Sequence, residues 1–170
     1  TAEQVSANGA YTAGVLLGRQ ASGRFVVGHV VHERAEGQGV RQLIRSTAES
    51  DRQKYGSVEI SFNQDPGQAG KVQAQDLVLM MAGYVAHAKI ESGDKVTRAE
   101  PFAAQCEAGN VDLVAASWNE SFLDELCDFP AGKFKDQVDG ASGAFARLIG
   151  NTVFSTPEGA FVQDAVIVPS

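Results

Sequence analysis

The most constraining feature of this chain is a predicted strand that ends abruptly on a carboxylate. From Val58 to Phe62, apolar residues alternate with polar ones, which is the period of a β-strand. Asp65 follows, and Pro66 and Gly67 then break the strand. In open α/β sheets, ligands and metal ions bind at the edge where the strands have their carboxyl ends. Two interpretations of Asp65 are open, because aspartate before Pro-Gly is also ordinary turn chemistry.

A second acidic cluster lies far downstream, at the predicted start of a helix. It contains Asp136 and Asp139, which are three residues apart and therefore on one helix face. Carboxylates that converge on one point repel each other unless a cation lies between them, and oxygen ligands suit Mg²⁺ or Mn²⁺. We therefore predict that Asp65 and Asp136 are catalytic metal ligands. Asp139 is either a further ligand or a first-turn acid that complements the helix dipole.

The glycine-rich segment 67–71 is not a P-loop. A P-loop has four residues between its first glycine and the Gly-Lys pair, followed by Ser or Thr, whereas here two residues intervene and Val72 follows Lys71. Backbone amides at a helix start, together with a lysine, still suit a DNA phosphate. We predict DNA contacts from Lys71 and, beside the second acidic cluster, from Lys133 and Lys135.

The order of the periodic segments predicts the fold class. Two β-rich runs separated by a turn precede an alternation of helices and strands, and a helix that starts near Asp136 follows. A hairpin that leads into alternating α and β elements predicts an α/β fold, with a mixed sheet flanked by helices on both faces. The apolar residues near the C-terminus, within 150–170, are expected to form an arm or a hairpin.

Composition excludes some classes of protein. The 170 residues suit one domain, and no apolar run approaches the roughly 18 residues of a membrane span. The N-terminus lacks the pattern of a signal peptide. The net charge of −7 argues against a general nucleic-acid coat, but an acidic metal site is compatible with it. Cys106 and Cys127 have no metal-ligand spacing and are expected to be free, buried thiols, which fits a reducing compartment.

The chain resembles the C-terminal nuclease domain of tailed-phage or prophage terminase large subunits. The resemblance runs from about Thr12 to Leu148. The motifs that match are the segments 14–18, 25–31, 64–71, 93–101, 109–111, 118–119, 122–126 and 136–139.

This resemblance implies an RNase H-like fold across residues 1–170 and a two-metal endonuclease that cuts concatemeric double-stranded DNA during packaging. Asp65 matches the second of the family's three metal-binding acids, and Asp136, with Asp139 nearby, matches the third. The implied cofactor is Mg²⁺ or Mn²⁺. The implied partners are double-stranded DNA and, in the full protein, the packaging ATPase domain, the small terminase subunit and the portal. No ATPase domain is expected in this chain, and no membrane partner. The implied location is the host cytoplasm, transiently at the procapsid portal.

The chain departs from the family at two positions. In the family, the first acid lies on a strand that precedes the hairpin, and the match places Thr1 just after that acid. At the third acid, Lys135 stands at a position where the family commonly has an acid.

The leading hypothesis is an active nuclease. The second is a degenerate RNase H-like domain that binds DNA or motor partners without cleavage, and a third is an unrelated α/β module that binds a small molecule. We also predict that the tail strand 159–168 fills the first-strand gap and could bring Asp164 towards the metal site.

Overall fold

A computed structural model of the chain describes residues 11–150 and the backbone of residues 160–167. The strands are β1 (Tyr11–Arg19), β2 (Phe25–Arg34), β3 (Val58–Gln64), β4 (Val85–Ile90), β5 (Val111–Leu113) and β6 (Ala160–Ile167). The helices are α1 (Gln38–Tyr55), α2 (Gln68–Met80), α3 (Lys95–Glu107), α4 (Asn119–Asp128) and α5 (Asp136–Gly150).

The strands form one mixed sheet in the order β4-β3-β6-β1-β2-β5. β1 and β2 are an antiparallel hairpin, whereas β3 pairs with β4 and β2 pairs with β5 in parallel. The hairpin turn is closed by a hydrogen bond from Gln20 N to Arg24 O. The predicted mixed sheet is therefore confirmed.

Helices cover both faces of the sheet, as the sequence predicted. Alternate residues of β1 belong to two separate cores, with Val15 in one and Leu16 in the other. The first core receives side chains from α3, α4 and α5, including Phe102, Phe122 and Phe145. The second core receives side chains from α1 and α2, including Ile44, Ala48 and Leu77. Leu16 and Val15 are fully buried, so β1 is covered on both sides.

The tail strand β6 lies in the interior of the sheet. It pairs antiparallel with β1 and parallel with β3, which confirms the prediction that the tail fills the gap between these strands. Asp164 is in register with Val15 on one side and Ser61 on the other. Ser61 precedes Asp65 by four residues, which is about 13 Å along a strand. The register therefore does not support the expected approach of Asp164 to Asp65.

The strand directions define one functional edge. The carboxyl ends of β2, β3, β4 and β6 meet the start of β1 at the same edge, because β1 is antiparallel to its two neighbours. We call this edge the rim. The helices α2 and α3 begin there, directly after β3 and β4. The rim is therefore the expected place for a ligand site.

Two further expectations are tested by the described residues. Cys106 and Cys127 are free, but both are exposed, so the expectation of buried thiols is wrong; other residues form the buried faces of α3 and α4. In the described ranges, no helix has both the length and the apolar character that would let it cross a membrane.

Candidate functional site

A tight connection between β3 and α2 holds Asp65 at the rim. β3 ends at Gln64 and α2 begins at Gln68, so few residues separate the two elements. Gly67 has a φ of +106°, a conformation that side chains other than glycine rarely adopt. A Cβ atom on Gly70 would lie 2.3 Å from the carbonyl oxygen of Asp65. The glycines thus let the first turn of α2 approach the backbone of Asp65, whose side chain is exposed.

Asp136 and Asp139 occupy the first turn of α5, and a carboxylate from another helix fixes that turn. Glu125 of α4 is buried and accepts hydrogen bonds from the backbone N–H groups of Gln137 (2.7 Å) and Val138 (3.1 Å). The side-chain amide of Gln137 also donates to Glu125, at 2.7 Å. Free N–H groups at a helix start need acceptors, so Glu125 serves as the cap of α5.

Two cations at the start of α3 neutralise the acids of α5. Arg98 donates a hydrogen bond of 2.9 Å to Oδ1 of Asp139. The Nζ atom of Lys95 lies 3.1 Å from Oδ2 of Asp139 and 3.9 Å from Oδ1 of Asp136. Asp139 is buried, so these ion pairs are screened less than surface pairs. Asp94 places the two cations by capping α3, since its side chain accepts from Thr97 N at 3.0 Å.

Glu91 is a fourth acid of the rim. It follows β4 directly, and the last register pair of β3 and β4 joins Gln64 to Ile90, so Asp65 and Glu91 leave neighbouring parallel strands at the same level. The Nη2 atom of Arg98 lies 3.5 Å from Oε2 of Glu91. Burial raises the pKa of Glu91, as do the charges of Asp139 and, more weakly, Asp65, while Arg98 and Lys95 oppose the rise.

Asp136 shares this crowded environment. Burial raises the pKa of its carboxyl group, Lys95 and His32 oppose the rise, and the charges of Glu125 and Asp139 add to it. Two rim carboxylates therefore have raised pKa values despite the α3 cations. Lys95 and Arg98 therefore compensate the negative charge of the rim only in part.

An open cleft lies beside Asp136. It has a volume of about 540 Å³, and its lining includes Tyr11, His32, Lys133 and Phe134. The ring of His32 stacks on Tyr11 with centroids 4.5 Å apart, and its Nε2 atom lies 3.9 Å from Oδ2 of Asp136. The cleft therefore offers space for a ligand of moderate size beside His32, the neighbour of Asp136.

The predicted DNA-contacting lysines lie around this cleft and the rim. Lys71 is exposed in the first turn of α2. Lys133 is exposed, with Nζ 5.2 Å from the ring centroid of Phe134. Lys135 is half-buried, and its carbonyl oxygen accepts the backbone N–H of Asp139 at 3.0 Å. All three lysines flank the predicted acids in the chain.

The arrangement brings some predicted ligands together but does not close a metal site. Asp136 and Asp139 face the same Lys95, and Glu91 is electrostatically coupled to both Asp139 and Asp65. Carboxylate oxygens are the kind of ligand that Mg²⁺ and Mn²⁺ prefer. Within residues 11–150, however, no three Asp, Glu, His or Cys side chains are grouped so that they could hold a metal ion. As arranged here, the described donors do not fit a bound cation, because Lys95 and Arg98 already compensate Asp139.

Sequence reasoning missed the residues that organise the site. Glu91 had a usable signal, since an acid directly after the second of two parallel strands belongs at the same edge as Asp65. Lys95, Arg98 and Glu125 lie in segments that match the family, 93–101 and 122–126, but the sequence did not indicate their role. Each acts on α5 from another helix, α3 or α4.

Comparison with known proteins gives one match. A family model described as the terminase RNaseH-like domain matches residues 1–147, and this stretch includes all the rim residues described above. No curated protein and no solved structure matches the chain.

Proposed function

Because this chain belongs to the terminase RNaseH-like domain family, we propose that it is the nuclease domain of a terminase large subunit and cuts concatemeric double-stranded DNA during genome packaging. The family confirms the expected RNase H-like fold class and supports a nuclease-type role. The finer statements about substrate, metal ions and partners are part of the proposal.

The observation that supports a hydrolytic site best is the meeting of acids from three elements at one edge. Asp65 follows β3, Glu91 follows β4, and Asp136 and Asp139 begin α5. Burial raises the pKa values of Glu91 and Asp136, so their charged forms oppose folding at neutral pH. Such unfavourable clusters are typical of functional sites.

RNase H-like nucleases usually use divalent metal ions, and we propose Mg²⁺ or Mn²⁺ in a two-metal site here. When bound, such ions activate water and stabilise the leaving oxygen in phosphodiester cleavage. Asp65 and Asp136 are the proposed catalytic ligands, and Asp139 is available as a further ligand through Oδ2. This atom accepts no hydrogen bond from the described residues, although it forms the ion pair with Lys95.

The proposed substrate and partners follow the family. Double-stranded DNA would lie across the rim, with phosphates contacted by Lys71, Lys133 and Lys135. In the full protein, the packaging ATPase domain, the small terminase subunit and the portal are the proposed partners. The proposed location is the host cytoplasm, with transient association at the procapsid portal.

A second candidate function is DNA or motor binding without cleavage. Two observations favour it. Asp139 is already neutralised by Lys95 and Arg98. In addition, β6 lies between β1 and β3, the position that the resemblance assigns to the strand with the family's first acid, and the register leaves Asp164 short of the rim.

A plasmid-nicking assay separates the two candidates. The 170-residue chain is incubated with supercoiled plasmid at saturating Mn²⁺, with the Asp65→Asn variant in parallel. Nicked or linear product from the wild type alone supports the nuclease. Retarded but uncut plasmid supports the binding function instead. Equal cutting by both proteins would show that Asp65 is only a turn residue.

A further inference from the structure

The ammonium group of Lys95 occupies a central position among the acids of α5. Its Nζ atom lies 3.1 Å from Oδ2 of Asp139 and 3.9 Å from Oδ1 of Asp136. These two carboxylates are one helical turn apart and face the same group. One positive charge thus lies between the two side chains that the proposed function assigns to a divalent cation.

A divalent cation bound by the same two oxygens would stand within a few ångströms of the ammonium group. Two positive charges at that distance repel each other, and the carboxylates cannot coordinate fully while they face both.

We infer that Lys95 is a built-in counter-ion of Asp136 and Asp139, and that its ammonium group must leave these carboxylates before a divalent cation binds there. This inference rests on the proposed function. It makes Lys95 a positioning residue that sets the metal affinity of the site, because the cation must displace a resident charge.

Lys95 is the cation that can leave, whereas Arg98 is held in place. The Lys95 side chain is 41% exposed, against 19% for Arg98. Arg98 also donates to the carbonyl oxygen of Gly93 at 2.7 Å and pairs with Glu91. With Lys95 turned towards solvent, Arg98 would still hold Oδ1 of Asp139, and Oδ2 would be open to a metal ion.

The test measures Mn²⁺ binding directly, through the electron paramagnetic resonance signal of free Mn²⁺ in titrations of the full 170-residue chain. The Lys95→Met variant removes the ammonium group and keeps most of the side chain. It should bind Mn²⁺ roughly tenfold more tightly than the wild type, as expected for removing one nearby, partly screened charge. Circular dichroism checks that the variant folds.

Lys54→Met is the matched control. It makes the same change of net charge in the last turn of α1, at the opposite end of the sheet from the rim. Its Mn²⁺ affinity should equal that of the wild type. Adding Asp136→Asn to Lys95→Met should abolish the gain, because the metal ion is expected at Asp136.

The outcomes separate this inference from the proposed function. Equal Mn²⁺ affinity of the wild type and Lys95→Met would overturn the inference and leave the metal site standing. A gain that survives the Asp136→Asn change would also overturn it, since the ion would then bind elsewhere. Absence of Mn²⁺ binding to the wild type and to Lys95→Met would overturn the proposed metal site itself, and the inference with it.

Discussion

Asp65 and Asp139 are both acids of the rim, but their surroundings differ. Asp65 is exposed at the end of β3, whereas Asp139 is buried between Lys95 and Arg98. A carboxylate in solvent contributes little to folding. Removing the buried Asp139 carboxylate instead leaves Lys95 and Arg98 with only their more distant acidic partners, Asp136 at 3.9 Å and Glu91 at 3.5 Å. Neutralising the two residues should therefore have different consequences.

Asp65→Asn should abolish DNA cutting and leave folding nearly intact. The proposed catalytic role needs the charge of this residue, whereas its exposure predicts a change of less than about 0.5 kcal/mol in the free energy of unfolding. Plasmid cutting at saturating Mn²⁺ and urea unfolding measure the two effects. Asp76→Asn is the control, because Asp76 lies on an exposed part of α2 and should leave cutting unchanged.

Asp139→Asn should destabilise the protein even without metal. It leaves Lys95 and Arg98 without their buried partner, and we expect a loss of about 2 kcal/mol, since both cations are partly exposed and a fully buried pair would cost more. Urea unfolding in the presence of a chelator measures the loss. An unchanged midpoint would mean that the α3 cations contribute nothing to the docking of α3 on α5.

At the scale of elements, the connection from β3 to α2 determines where Asp65 stands. A Cβ atom on Gly70 would approach the carbonyl oxygen of Asp65 to 2.3 Å, so Gly70→Ala must push the first turn of α2 away from β3. We expect a loss of about 1–3 kcal/mol in unfolding free energy, as for other overpacked sites. We also expect reduced DNA cutting, because Asp65 would move.

Gly39→Ala is the matched control for this change. Gly39 lies in the first turn of α1, and its added Cβ atom would meet only Ala35, at 3.7 Å. The same substitution should there be neutral or stabilise the helix by about 0.5–1 kcal/mol. If both variants unfolded at the same urea concentration, the close approach at Gly70 would not affect the free energy of unfolding.

The sequence predicted most elements but not how they act on one another. The apolar periodicity over 37–55 and the Gly56 that follows predict a helix, and α1 is observed at Gln38–Tyr55, since both signals are local. The apolar residues over 72–84 predict a second helix there, whereas α2 spans Gln68–Met80, because the close approach at Gly70 lets the helix begin directly after the turn. The capping of α5 by Glu125 could not be predicted, as it depends on the tertiary placement of α4.

At the scale of the whole molecule, β6 connects the two halves of the sheet. It lies between β3 and β1, so every contact of the β4-β3 pair with the β1-β2-β5 group within the sheet passes through it. Ala165 is in register with Gly14 on one side and Phe62 on the other. Ala165→Pro removes a backbone N–H from an interior strand and should cost about 3 kcal/mol or more.

Thermal unfolding followed by circular dichroism measures this loss. Ala165→Ser retains the backbone N–H and serves as the control at the same position. A proline variant as stable as the serine variant would contradict the interior position of β6.

The overall charge of the molecule predicts that DNA binding is local. A net charge of −7 repels DNA as a whole, so affinity must come from cations concentrated near the rim. Replacing Lys71, Lys133 and Lys135 with Gln should weaken binding to any DNA sequence. If each lysine contacts one phosphate, the slope of log affinity against log salt should fall by about 2.7 in magnitude.

Fluorescence anisotropy of a labelled duplex at several salt concentrations measures this slope. The control replaces Arg19, Arg52 and Lys54 with Gln, which lowers the net charge equally at the opposite end of the sheet. A general charge effect would weaken both variants alike. Only a larger loss of slope for the lysine variant is consistent with DNA lying across the rim, above the acids that we propose cut it.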